Sequence, residues 1–136
     1  MIQKIVLAIG LTLVVMYVIP FPIYGILSGL TGLQTPTEGS VALFMLSVLV
    51  IKLGVSVAFV LLFYCARDAW VQRWFKYALI WWGMFAVVEL GQAITPDYSW
   101  LAAIGGIIAE AIYFPLAALF IARLLRPRES LDGSTL

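Results

Sequence analysis

Residues 41–66 read VALFMLSVLVIKLGVSVAFVLLFYCA, and one charged side chain, Lys52, interrupts that run. A helix needs about 20 apolar residues to cross the hydrocarbon core of a bilayer. This stretch is longer, with some to spare for tilt. Working outward, three further runs have the same character: Ile5 to about Leu30, Trp74 to Thr95, and Trp100 to Leu125. The whole chain of 136 residues is 64% hydrophobic and only 11% charged. Soluble domains carry about 25% charged residues, so this chain has too few to cover a water-facing surface.

Composition and spacing together predict an all-α integral membrane protein built as an antiparallel four-transmembrane-helix bundle. The bundle is expected to occupy residues 1–126 as a single domain, with 127–136 a short polar cytoplasmic tail lacking order. The connections are brief: a polar stretch from Thr31 to Ser40, a basic-aromatic stretch from Arg67 to Tyr77, and the turn Thr95-Pro96-Asp97. Connections this short make consecutive helices antiparallel neighbours. The first helix is expected to break at Pro20-Phe21-Pro22, because Pro20 and Pro22 have no N–H for the carbonyls of Met16 and Val18. Pro115 frees the carbonyl of Ala111 in the fourth span in the same way.

Orientation follows from Lys and Arg. Lys4, Arg67, Arg73, Lys76, Arg123, Arg126 and Arg128 fall at one side of the predicted bundle, and Glu38 and Asp97 at the other. By the positive-inside rule both termini are cytoplasmic, and the expected location is a bacterial inner membrane. A cleaved signal peptide fits the start poorly, since Lys4 is a thin positive region and no small-x-small site follows Pro22. Trp81 and Trp82, just inside the basic-aromatic stretch, are expected to extend its interfacial belt, with Tyr98 and Trp100 marking the opposite interface.

Absences narrow the chemistry. The chain has no histidine and one cysteine, Cys65. Haem ligation by histidine, histidine-based zinc or iron sites, and paired-thiol redox chemistry are therefore not expected. No cofactor is expected. The near-neutral charge balance, formally +1, gives no reason to expect nucleic acid as a partner.

What remains distinctive is Lys52, Glu89 and Glu110, three ionisable groups inside spans. A charge at the centre of a spanning helix costs about 2.5–3.5 kcal/mol on insertion scales, and such residues usually face the protein interior and pair. At ~1.5 Å per residue, Lys52 and Glu110 lie about 15–16 Å below the outer face and Glu89 about 9 Å. The expectation is one carboxylate–ammonium–carboxylate cluster, with Glu89 within reach of an outward-pointing lysine. Residues three or four apart share a helix face. That adds Gln92 beside Glu89, Ser56 beside Lys52 and Tyr113 beside Glu110. An outward-opening cleft would also use Tyr17 and Tyr24, near the prolines of the first span.

The candidate ligand-binding residues are thus Lys52, Ser56, Glu89, Gln92, Glu110, Tyr113, Tyr17 and Tyr24. The favoured function is binding or transport of a small amphipathic ligand, cation or proton, without enzymatic chemistry. The same charges could instead only fix which helices meet. A second function is an accessory subunit of a larger membrane complex, using the small-residue faces Gly25/Gly29 and Ala102/Gly106 to form a homo- or hetero-oligomer. A third is an intramembrane acid–base enzyme acting on a lipid. Membrane lipids are expected partners in every case, and the basic-aromatic stretch is expected to anchor at anionic headgroups.

Overall fold

The computed structural model describes residues 1–32 and 40–126. These residues form six helices and no strand: α1 (Ile2–Val18), α2 (Pro20–Thr31), α3 (Val41–Cys65), α4 (Arg67–Trp70), α5 (Trp74–Ala93) and α6 (Trp100–Leu124). The connection carrying Glu38 and the predicted tail at 127–136 lie outside the described residues.

Three runs, Ile2–Thr31, Val41–Cys65 and Trp100–Leu124, are long and apolar enough to cross a membrane. The protein is therefore a helical membrane protein. α5, with 20 residues, is not among the three. It contains Lys76, Glu89 and Gln92, and four of its rings (Trp74, Tyr77, Trp81 and Trp82) bear a polar atom.

The break at the prolines is slighter than expected. Ile19, between α1 and α2, keeps right-handed helical angles (φ −60°, ψ −37°), and its N–H donates to the Val15 carbonyl at 3.2 Å. Pro20 takes the first position of α2, where a missing N–H is tolerated. The helical path thus runs on through 30 residues instead of opening into non-helical backbone. α2 ends at Gly32, whose φ of +69° is a left-handed cap suited to glycine, and whose N–H returns to the Ser28 carbonyl.

α6 is the central element. Its N-cap Ser99 accepts a hydrogen bond from the Ala102 N–H. Its buried positions are mostly small: Ala103, Gly105, Gly106, Ala109, Ala117, Ala118 and Ala122. Apolar burial gives helices little reason to associate in lipid, so close backbone approach through small residues takes over that role. α1 and α2 pack on one side of α6 and α5 on another, while α3 packs chiefly on α1. Phe85 and Trp81 of α5 meet Phe114, whereas Glu89 meets Gly106, so α5 and α6 are antiparallel. Tyr17 reaches Met45 while Met16 meets Ser56, which makes α1 and α3 antiparallel too.

Lys4, Arg67, Arg73, Lys76, Arg123 and Arg126 share one end of this arrangement, here the basic end. The turn around Asp97 lies at the other. The half nearer the basic end is packed with rings. Phe59 lies 4.9 Å from Tyr77, 5.3 Å from Trp81 and 5.4 Å from Phe114, centroid to centroid. Phe63 and Trp70 close on Tyr77 at 5.1 and 5.2 Å, and the Tyr77 hydroxyl donates to the Phe59 carbonyl. Trp81 belongs to this core and not to the interfacial belt expected of it. Trp82 instead ties α5 to α6, its indole N–H donating to the Ile107 carbonyl at 3.1 Å. The other half of α3 is open: Leu43, Phe44, Leu46 and Val50 are all exposed. Such surfaces suit acyl chains and would not suit water.

Candidate functional site

Lys52, Glu89 and Glu110 do gather, but not as a direct ion-pair triad. Lys52, midway along α3, extends its ammonium to α6 and donates to the Tyr113 hydroxyl at 2.9 Å. The same ammonium lies 4.7 Å from the centroid of the Tyr113 ring. Tyr113 in turn donates to Glu110 Oε1 at 3.5 Å, one turn back along α6. A phenol therefore bridges the ammonium and the carboxylate. Among the described residues the one ion pair is Arg67–Asp68 (3.6 Å), far from this cluster at the basic end.

Glu110 is buried, with 3% of its surface exposed. Its second carboxylate oxygen, Oε2, is fully enclosed and has no hydrogen-bond partner. Leaving a buried charged acceptor unsatisfied is costly, and unpaired polar atoms of this kind need an explanation. Thr12, buried on α1, has an unpartnered hydroxyl as well.

Glu89 enters from α5. A Cβ built on Gly106 would stand 2.7 Å from Glu89 Cδ and 2.8 Å from its Oε1, so the carboxylate rests on the bare backbone of α6. Gly106 and Glu110 are four residues apart, about 6 Å along the helix, which brings both acids to one side of α6. Glu89 is fixed by Tyr98, whose hydroxyl donates to Oε2 at 2.7 Å. The Thr95–Ser99 turn presents Tyr98, with the Tyr98 N–H returning to the Thr95 carbonyl. Burial, then the bond to Glu89, pushes the Tyr98 phenol well above its ordinary range, so it stays a donor.

Tyr24 of α2 completes the outer wall. Its hydroxyl donates to the Ala102 carbonyl at 3.1 Å. Gly105 makes room for it: a Cβ there would meet Leu27 at 2.7 Å and the Tyr24 ring at 3.0 Å. Polar groups thus run from Tyr98 at the Asp97 end through Glu89 and Tyr24 to Glu110, Tyr113 and Lys52 at mid-depth. Beyond them the rings of the basic half take over.

Three expected members stand apart. Gln92 is exposed on α5. A residue three positions on is rotated by 300°, and here that 60° offset turns Gln92 outward. Tyr17 spends its hydroxyl on the Met45 carbonyl at 3.5 Å and packs edge-on to Phe21. Ser56 is buried against α1, its hydroxyl 3.6 Å from the Met16 sulfur. The Ala102/Gly106 face is also taken up inside the chain, by Tyr24 and Glu89, whereas Gly25 and Gly29 meet nothing within 4 Å. Among the described residues, no three His, Cys, Asp or Glu side chains gather as a metal ion would require. Set against protein-family models, curated proteins and solved structures, the chain matches none.

Proposed function

We propose that this chain is a four-helix protein of the bacterial cytoplasmic membrane, with both termini inside, that binds a small amphipathic cation in its mid-depth polar cluster. The observation that carries the reading is the buried, unpartnered Oε2 of Glu110. With Glu89 and Glu110 against Lys52, the cluster is formally one negative charge in excess. A ligand bearing an ammonium N–H would supply both the missing donor and the missing charge. Its apolar part would rest beside Leu27 and Tyr24.

The polar path supports entry from the Asp97 end. Past Tyr113 the ring core offers no comparable succession of polar side chains. That favours binding over passage through the membrane.

Native mass spectrometry from mild detergent tests the reading. Wild-type protein should carry an adduct of constant small mass, and Glu110→Gln should lose it while circular dichroism stays unchanged. Bare wild-type protein, or an adduct that survives in Glu110→Gln, would contradict it.

A second reading is an accessory subunit, and one observation favours it. Gly25 and Gly29 lie open beside exposed Ile26 and Leu30, a surface suited to close approach of another helix. It predicts an added protein chain in the same spectrum, released by Gly29→Leu.

A further inference from the structure

At the basic end, the turn between α4 and α5 and the last turns of α6 border an open cleft of about 360 Å³. Its wall combines Val71, Gln72 and Trp74 with Leu119, Ala122, Arg123 and Arg126. Arg123 sits in the last turn of α6 and Arg126 just past its end, about 50 residues along the chain from the turn they face. Among the described residues no carboxylate lines the cleft, and neither guanidinium has an ion-pair partner. Trp74 opens α5, a helix whose N-cap Arg73 provides no side-chain capping bond. The first N–H groups of α5 therefore add partial positive charge near the cleft. The C-terminal dipole of α6 opposes this, but Arg123 in its last turn offsets it.

We infer that this cleft is a binding site for the phosphodiester headgroup of an anionic phospholipid. Guanidinium groups present forked donors that match phosphate oxygens two at a time. The Gln72 amide adds a further donor. Leu119, Ala122 and Val71 form an apolar floor on which the glycerol and upper acyl carbons can lie, and the Trp74 ring has the amphipathic character favoured at headgroup depth. Basic pockets between membrane helices on the cytoplasmic side suit such headgroups. A small free anion would use the arginines and leave the floor bare.

The test uses full-length protein in bilayer nanodiscs of mixed phosphatidylcholine and phosphatidylglycerol, released into a mass spectrometer. Wild type should retain phosphatidylglycerol in preference to phosphatidylcholine. Arg123→Gln/Arg126→Gln should weaken that preference about fivefold for each arginine removed. Leu119→Trp, which fills the floor and keeps both charges, should also abolish it. Arg67→Gln/Lys76→Gln, with the same charge loss outside the cleft, should retain it. Excess inorganic phosphate should not displace the lipid. Equal loss in the two double-charge variants, or no effect of Leu119→Trp, would show only general surface attraction and overturn the site. Displacement by inorganic phosphate would overturn it in favour of a small-anion site.

Discussion

Tyr113 holds the cluster together, because its hydroxyl accepts from Lys52 and donates to Glu110. Tyr113→Phe removes both bonds while keeping the ring against Phe114, 4.7 Å away. It should destabilise the protein by about 1–2 kcal/mol in a reversible detergent–dodecyl sulfate unfolding titration. Gln92→Ala, at an exposed position, should stay within about 0.5 kcal/mol in the same titration. At this scale the sequence was legible where the helical repeat applies. Depth counting matched Lys52 with Glu110, and the i, i+3 relation found Tyr113. It failed across turns and around the helix axis. Tyr98 reads as an interfacial ring, since the repeat that would relate it to Glu89 ends at Thr95. Gln92 lay within the tolerance of that repeat yet turned outward. Thr12 gave no signal, because one hydroxyl in an apolar helix is common.

Among the elements, glycines divide by what faces them. Gly106→Ala would drive a methyl group into the Glu89 carboxylate, and Gly105→Ala into Leu27 and Tyr24. The Glu89 carboxylate is the movable end of a flexible side chain, so Gly106→Ala should break the Tyr98 bond before it separates the helices. A loss of about 1–3 kcal/mol is expected in the unfolding titration. Gly25→Ala meets open space and should be neutral or slightly stabilising in the monomer, since alanine is the better helix former. Sequence alone could not sort these glycines, because every small-x-x-x-small pair looks alike until the partner helix is placed. The proline pair shows the converse limit. Two residues without N–H groups suggested a break, but Pro20 and Pro22 both fell in the first turn of α2, where the lost donors are not needed, and Ile19 stayed helical.

On the scale of the whole molecule, apolar length and the one-sided placement of Lys and Arg made the helical membrane class legible from sequence. The ring core of the basic half was not, because it joins Phe59, Phe63, Trp70, Tyr77 and Trp81 of three successive helices to Phe114 of α6, and no helical repeat relates rings on different helices. The proposed topology makes a separate prediction. In a Cys65→Ala background, Asp97→Cys should react with an impermeant maleimide added outside intact cells, whereas the native Cys65 should react only after lysis. The central claim is that Glu110 is the ligand-binding carboxylate of a cluster entered from the Asp97 end. Its most direct test is titration of the purified protein with octylammonium, followed by tryptophan fluorescence. The account predicts saturable one-to-one binding, weakened at least about tenfold by Glu110→Gln, the equivalent of ~1.4 kcal/mol, and unchanged by Gln92→Ala. Equal affinity in wild type and Glu110→Gln would contradict it.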